Sequence, residues 1–373
     1  MTMASPTRPP RAAPTEVRSF GVEEELVFLD RSHLRPVAAT QDVLGLLPPD
    51  AARAFVTPEY LASQIEYSSP IHTSVDEAIE GLGRFRHATR SALARADVVV
   101  AATGVPFDVD GDPQIAAFER YERVADANGA VAGEHQITAL HVHVGVESVD
   151  DRVRALNRVR VWVPVLLALS GNSPFWRGRD TGFASWRSIH MRRWTTSGCP
   201  PVFADGADYW RRAERLVGVG GTTDINTIAW NVRLSTHHPT VEFRVFDAQL
   251  GTWHSAFLAA LCRGLVTTAL AGEGEVPVMA SELLDSAMWL AARDGMTGSL
   301  VEPWSGQLAP AADVARELVA SIAAALGEAG DLEFVTRTLE RILEHGTGSQ
   351  QQRAAFAAGG IDGLAQLFDS SIG

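Results

Sequence analysis

Alternating apolar and polar positions predict strands in the N-terminal half of the chain. Between them, apolar residues that recur every three or four positions predict helices. Strands are expected at 17–29, 63–68, 98–100 and 137–146, followed by a strand pair at 225–233 and 240–246. Helices are expected from Ser74 to about 96 and from 150 to 170, and mostly helix is expected from 252 onward. Ser74 followed three residues later by Glu77 has the spacing of a capping box.

The helices fall in blocks between strands, without the regular alternation that builds a doubly wound sheet. This order predicts the α+β class, with an antiparallel sheet flanked by helices on one face. Residues 1–16 are rich in Pro, Ala and Thr and are predicted to form a disordered tail. Residues 17–373 are predicted to form one domain.

Composition narrows the class of protein. The net charge of −13 argues against nucleic acid as a partner, because phosphate contacts need clustered Lys and Arg. The longest apolar stretch, 161–169, is shorter than the roughly 20 residues that span a bilayer, so no membrane is expected. Cys199 and Cys262 form neither a disulfide framework nor a zinc motif, so a reducing cytoplasm is expected. A homodimer is the default expectation for such a chain.

Three acidic residues stand together in the first predicted strand. Residues two apart share a face of a strand, so Glu23 and Glu25 point together and Glu24 points away. Like charges on a half-buried face repel unless a positive group offsets them, and carboxylate oxygens suit Mg²⁺ or Mn²⁺. A solvated strand face is the equally weighted alternative.

Later strands carry the same kind of pattern. Glu66 opposes the apolar face of its strand, although a single acid there is more often only exposed to solvent. His141 and His143 share a face, which favours a ligand or anion contact. Glu242 and Arg244 also share a face, and a cross-strand ion pair is the alternative to a metal–phosphate site. Arg233 precedes this strand, and the Arg- and Gly-rich segment 176–187, which ends on Arg187, predicts a binding loop.

These motifs together resemble the carboxylate–amine ligases of the glutamate–cysteine ligase type 2 group. The resemblance covers nearly the whole chain beyond the tail. The matching segments, in order, are Gly-Val-Glu-Glu-Glu-Leu at 21–26, Gln-Ile-Glu at 64–66, His-Val-His-Val-Gly-Val at 141–146, the apolar run and Gly-Asn-Ser-Pro-Phe-Trp at 164–176, Asp-Thr-Gly-Phe-Ala-Ser at 180–185 with Arg187, Thr-Val-Glu-Phe-Arg-Val at 240–245, and Gln-Arg at 352–353.

The resemblance implies a glutamine-synthetase-like catalytic fold in which an antiparallel sheet forms a funnel that holds ATP and Mg²⁺ (Mn²⁺ is also suitable). It implies that L-glutamate is activated as γ-glutamyl phosphate and joined to the amino group of cysteine or another acceptor, releasing ADP and phosphate. It assigns roles to ten residues. The metal ligands are Glu23, Glu25, Glu66, His141 and Glu242, with Glu59 as a further carboxylate; the catalytic residues are Glu66, Arg187 and Arg244; the nucleotide contacts are Arg233, Arg244 and His143.

Two other functions stay open from the residues alone. One is a metal-dependent amidohydrolase that uses His141 and His143, and the other is a non-catalytic glutamate or nucleotide sensor on the same fold. The family often has Trp-Asp-Val-Arg-Pro where this chain has Trp-Asn-Val-Arg-Leu at 230–234. Asn231 and Leu234 therefore lie where acceptor specificity could be set.

Overall fold

Strand β1 (Phe20–Asp30) is the central element of a seven-stranded sheet in a computed structural model that describes residues 17–48, 55–94, 96–272 and 277–372. All the strand pairs of this sheet are antiparallel, in the order β2-β3-β1-β5-β9-β8, and β4 pairs with β1 beyond the end of β5. The other strands are β2 (Val56–Pro58), β3 (Gln64–Ser68), β4 (Val98–Ala101), β5 (Ala139–Gly145), β8 (Val232–Leu234) and β9 (Thr240–Asp247).

Two short hairpins stand apart from this sheet, β6 (Phe175–Trp176) with β7 (Arg179–Asp180) and β10 (Ser299–Val301) with β11 (Leu308–Pro310). The helices before β9 are α1 (Thr40–Leu46), α2 (Val75–Ala92), α3 (Glu119–Asn128), α4 (Ala130–Gly133), α5 (Val149–Val159), α6 (Val163–Ser170), α7 (Trp186–Met191) and α8 (Gly206–Gly218). Those after β9 are α9 (Thr252–Ala271), α10 (Ser281–Asp294), α11 (Ala311–Ser321), α12 (Ala323–Ala329), α13 (Leu332–His345) and α14 (Gly348–Ser371).

The predicted α+β class and antiparallel sheet are confirmed, as are most of the predicted elements. The helix expected at 150–170 is interrupted by a 3-10 turn at Arg160–Trp162, just before Pro164. Proline has no backbone N–H, so it cannot make the hydrogen bond that a continuous helix requires at this position. The strand expected at 225–233 is wrong for its first part. Asp224 caps a 3-10 turn at Ile225–Thr227, and only Val232–Leu234 pairs with β9. The predicted tail lies outside the described residues.

Helices α2 and α9 cover the face of the sheet that carries Glu24. Ser74 caps α2 by accepting a hydrogen bond from the Asp76 amide, so the cap is confirmed, whereas Glu77 lies beside His72 (3.7 Å). Helix α9 has the length and apolar composition of a membrane span, but 78% of its apolar window is buried inside the protein. It is therefore packed as a core helix.

A buried ion pair fixes β1 to these helices. Arg86 of α2 donates to both carboxylate oxygens of Glu24 (2.8 and 2.6 Å), and both side chains are 0% exposed. The remaining guanidinium donors reach the carbonyl oxygens of Gln249, Leu250 and Ser371. Every hydrogen-bonding group of Arg86 is therefore used, which a charge buried this deeply requires.

We expect Arg86→Leu to lower the free energy of unfolding by about 3–5 kcal/mol, because it leaves the Glu24 carboxylate buried without a partner. Chemical denaturation measures this change. The exposed pair of Arg316 with Glu340 (3.0 Å) provides the matched control, since Arg316→Leu should cost about 1 kcal/mol or less. A loss of equal size in both variants would contradict the role of the buried pair.

Candidate active site

The face of the sheet opposite Glu24 gathers the predicted site residues from four strands. The strand register places Glu23 of β1 beside His141 of β5, and Glu25 of β1 beside Glu66 of β3. On the other side of β5, His143 lies beside Glu242 of β9. The sequence predicted only which side chains share a face within each strand. The register brings these faces together into one continuous surface.

This surface forms one wall of a cavity of about 590 Å³. The cavity is lined by Glu23, Glu25, Glu59, Glu66, His141, Arg233 and Arg244, by the aromatic side chains Tyr60, Tyr121, His135 and Trp194, and by residues of α3 and of the turn at 226–229. A recess of about 90 Å³ also borders Glu25, Glu59, Tyr60 and His141 and reaches Arg187 and Arg244. Most of the predicted site residues therefore share one cavity.

Glu23 interacts with both histidines. Its carboxylate lies 3.0 Å from Nδ1 of His141 and 3.3 Å from Nε2 of His143. Burial favours the neutral carboxyl, but these histidine contacts outweigh it and hold the pKa of Glu23 well below its ordinary value. Burial and the Arg244 charge lower the pKa of His141 to about 4, so its ring is neutral at pH 7. Neutral His141 thus donates from Nδ1 to Glu23 and leaves the Nε2 lone pair available to a cation.

Two arginines bind Glu242. Arg233 donates from Nε and Nη2 to its two oxygens (2.8 and 3.0 Å), and Arg244 donates from Nη1 to one of the same oxygens. Burial favours the neutral form of Glu242, but the two guanidinium charges reverse this preference, so its pKa lies below the ordinary value. The ion pair expected as an alternative is present, and Glu242 stays ionised inside it.

Two groups of three side chains could hold a divalent cation, and they share His141. Glu23, His141 and Glu242 form one group, and Glu25, Glu66 and His141 form the other, with ligand atoms within 4.8 Å of one another in each. The donor set is mainly carboxylate, which fits Mg²⁺ or Mn²⁺ better than zinc.

The second group has the stronger need for a cation. Burial raises the pKa of Glu25 to about 8, and the neighbouring Glu59 carboxylate contributes to this rise. Burial and the charges of Glu23, Glu59 and Glu25 raise the pKa of Glu66 well above its ordinary value. These carboxyls repel one another at close range, and a cation between them would remove that repulsion. The residues therefore fit a divalent cation.

Arg187 is held by a buried network that the sequence analysis missed. It lies in α7, 3% exposed, and donates from both Nη atoms to the carbonyl oxygens of Val245 and Arg244 (3.3 and 3.1 Å). Asp247, which is 0% exposed, accepts hydrogen bonds from Ser173 and Ser185 beside it (2.7 and 2.8 Å). The signal that could have found Asp247 is its place at the end of the strand that carries Glu242 and Arg244.

An aromatic wall of the cavity was also missed. The ring of Tyr60 lies edge-on to Tyr121 (5.4 Å between centroids), and the ring of His135 lies edge-on to Trp194 (4.8 Å). Trp194 Nε1 donates to His135 Nδ1 (3.0 Å), which fixes that histidine. These residues come from loops and short helices with no alternating pattern, so only the position of Tyr60 directly after Glu59 could have pointed to them.

The loop at 176–187 contributes less than expected. Only Arg187 of its arginines lines the recess, whereas Arg177 pairs with Glu134 (3.2 Å) at the surface. Asn231 is 8% exposed, and its carbonyl oxygen accepts from the Arg244 amide (2.8 Å). It is not among the residues that line the cavity, so its influence would pass through the backbone of Arg244.

Comparison with known proteins identifies the family. Residues 19–366 match the model of glutamate–cysteine ligase family 2. A protein of Frankia alni provisionally named glutamate–cysteine ligase 2-2 is 37% identical over 94% of this chain and 96% of its own length. A protein of Streptomyces coelicolor provisionally named glutamate–cysteine ligase 2 is also 37% identical, over 92% of this chain and 96% of its own length. The chain belongs to glutamate–cysteine ligase family 2.

Two solved structures share the fold of this family member. The glutamate–cysteine ligase of Francisella tularensis in complex with AMP superposes with a TM-score of 0.69 at 15% identity, over 96% of this chain and 89% of that one. A bifunctional glutathione synthetase from Pasteurella multocida gives the same TM-score at 14% identity, over 95% of this chain and 52% of that one. At these identities the likeness establishes the fold alone.

We expect Glu25→Gln to stabilise the protein at pH 8.5 when no divalent cation is present. The folded-state pKa of Glu25, about 8, lies above its ordinary value, so this carboxyl contributes stability below pH 4.5 that is lost as the pH rises through 8. Glutamine avoids that loss, so the variant should gain about 1 kcal/mol or more at pH 8.5 and almost nothing at pH 4. Thermal denaturation in a chelator measures both.

The exposed Glu344→Gln serves as the control and should leave stability unchanged at both pH values. Adding Mg²⁺ at pH 8.5 should raise the melting temperature of the unsubstituted protein more than that of Glu25→Gln. A variant that is less stable than the parent in chelator at pH 8.5 would contradict the crowding of these carboxyls.

Proposed function

We propose that the chain joins the γ-carboxyl group of L-glutamate to the amino group of a second amino acid or amine, using ATP and releasing ADP and phosphate. The observation that carries the proposal is the cluster of Glu23, Glu25, Glu66 and His141 facing a cavity that Arg233 and Arg244 also line. Membership of glutamate–cysteine ligase family 2 and the AMP bound to the Francisella tularensis relative support it.

In the first step, the glutamate γ-carboxylate attacks the γ-phosphorus of ATP, giving γ-glutamyl phosphate and ADP. Glu25 and Glu66, or Glu23 and Glu242, would hold a divalent cation together with the free Nε2 of His141, and that cation would offset the charge of the transferring group. Arg244 faces the cavity with donors that Glu242 does not use, so it is placed to bind the phosphoryl oxygens. His141 keeps its orientation through Glu23.

Arg233 orients the site instead of binding a substrate. Its Nε and Nη2 donate to Glu242, and its Nη1 donates to the carbonyl oxygens of Asn226 and Ile228 (2.6 and 2.9 Å). The guanidinium is thus engaged on every nitrogen. Arg233 holds Glu242 ionised and ties the turn at 226–228 to the floor of the cavity. His143 contacts Thr240 through Nδ1 (2.9 Å) and Glu23 through Nε2 (3.3 Å), and it therefore helps to fix the position of the Glu23 carboxylate.

In the second step, the amine nitrogen attacks the γ-carbonyl carbon and phosphate leaves, which forms the amide bond. The ammonium of the acceptor must first lose a proton. Glu66 is half-buried in the cavity, and its carboxylate is placed to take that proton.

The two alternative functions are less well supported. A metal-dependent amidohydrolase that binds zinc would favour histidine ligands, whereas glutamates outnumber histidines in both cation groups. A sensor without catalysis would not need the ionised Glu242 or the paired cation groups. A cytoplasmic location agrees with two cysteines that are both free, and a homodimer stays a prediction.

The first test is ADP release with ATP, Mg²⁺ and L-glutamate against a panel of amino acids and amines, with mass detection of the products. We expect turnover that requires both glutamate and an amine, with a product of their summed mass less water. Product formation without ATP would favour the amidohydrolase instead, and nucleotide or glutamate binding without turnover would favour the sensor.

The second test removes one cation ligand from each group. Glu25→Gln and Glu242→Gln should each lower kcat for ADP release by about 100-fold or more, because charge in the transition state loses a fixed partner. Circular dichroism should show an unchanged fold in both variants. Full activity in either variant would remove that residue from the catalytic site, and the exposed Glu344→Gln provides the matched control.

A further inference from the structure

Three residues that line the recess beside the cation cluster carry hydrogen-bond donors without a partner among the described residues. It measures about 90 Å³ and is lined in part by Tyr60, Arg187 and Arg244. Tyr60 Oη, Arg187 Nε and Arg244 Nε are each buried and have no hydrogen-bond partner among the described residues. Tyr60 is 8% exposed and Arg187 is 3% exposed.

Unpaired donors of this kind are costly to bury. Each one gives up its hydrogen bonds with water, at a cost of about 1–3 kcal/mol. Such groups persist at functional sites, where a ligand supplies the missing acceptor. Burial raises the pKa of Tyr60, so its phenol is protonated at pH 7 and able to donate.

The chemistry of the donors indicates what the recess binds. A guanidinium can only donate, so the ligand group must be an acceptor, and two guanidinium charges favour an anion. The volume is about that of three water molecules. A carboxylate fits this space, whereas a triphosphate does not.

The acidic neighbours of the recess leave room for an anion. Glu25 and Glu59 also line it. Glu25 accepts a hydrogen bond from the Ala139 amide (2.8 Å) and belongs to the cation group with Glu66 and His141. Arg187 and Arg244 offset part of the charge of Glu25, although Arg244 also pairs with Glu242, and a bound cation would add to the positive side.

We propose that Tyr60 Oη, with Arg187 Nε and Arg244 Nε, binds the α-carboxylate of an amino-acid substrate in this recess. The proposal rests on the proposed function, because that reaction brings two amino acids into the cavity. The α-carboxylate belongs either to the glutamate donor or to the acceptor. Tyr60 is then a specificity-determining residue that makes the enzyme prefer α-amino acids over simple amines or γ-amino acids.

Tyr60→Phe tests this role, because it removes only the hydroxyl group. We expect KM for one of the two amino acids to rise about tenfold or more, since a hydrogen bond to a charged group is lost, while kcat and KM for ATP change little. The variant should be at least as stable as the parent protein to thermal denaturation, because an unpaired buried group has gone.

Analogues without the α-carboxylate identify which substrate is bound. 4-Aminobutyrate replaces glutamate as donor, and the decarboxylated amine replaces the acceptor found in the panel. With the analogue of the bound substrate, Tyr60→Phe and the parent should have the same KM, because the carboxylate that the hydroxyl binds is missing. With the other analogue the difference between the two proteins should persist.

Tyr67→Phe is the matched control. Tyr67 lies on the opposite face of β3, stacked on Phe85 at 4.8 Å, so its hydroxyl should not affect either KM. Unchanged KM values in Tyr60→Phe, or an equal rise with both analogues, would overturn the proposal. If the parent protein shows no turnover, the ligase function fails separately. Calorimetric binding of L-glutamate and of the amino acids in the panel then decides: weaker binding of any of them by Tyr60→Phe supports the recess, whereas equal binding of all of them, or no binding by the parent, overturns it.

Discussion

The structure depends on one electrostatic constraint, the crowding of carboxylates on one face of an antiparallel sheet. Glu23, Glu25 and Glu66 lie on adjacent strands in register, and burial makes their mutual repulsion stronger than it would be in water. The protein offsets only part of it. Glu23 stays ionised between two histidines, whereas Glu25 has its pKa raised to about 8. The remaining repulsion is relieved by protonation of Glu25, and the stability that this protonation provides is lost as the pH rises through 8.

The other face of the same strand explains how this arrangement is maintained. A strand that carries repelling side chains could twist or slip by one residue, which would turn each side chain to the opposite face. Glu24 prevents the slip, because its carboxylate is bound by Arg86 under helices α2 and α9. Ser255 of α9 also donates to Glu24 (3.1 Å). Of the three consecutive glutamates, Glu24 thus fixes the strand, whereas Glu23 and Glu25 face the cavity.

The sequence could predict which side chains share a face, since strand periodicity alone pairs Glu23 with Glu25, His141 with His143, and Glu242 with Arg244. It could not predict strand register, which depends on pairing between residues more than a hundred positions apart. Register is what places Glu66 beside Glu25 and Arg233 beside Glu242. Periodicity also failed at 225–227, where the side chain of Asp224 caps a 3-10 turn and overrides the strand propensity of Ile225. Tyr60 and Asp247 carry no periodic signal.

The three arginines of the predicted site differ in how many of their donors the protein already uses. Arg233 uses all three nitrogens and four of its five N–H groups, so it mainly holds Glu242 and the turn above it. Arg187 keeps one buried Nε, and Arg244 keeps Nε beside the nitrogen that binds Glu242. An unpaired buried donor is costly, so we infer that a substrate supplies the acceptors for the donors that the protein leaves unpaired. The spare Nε donors belong to two residues that line the recess, next to the carboxylates that we propose as cation ligands. In the proposed function, anion recognition and cation binding therefore lie side by side, and each bound charge reduces the electrostatic cost of the other.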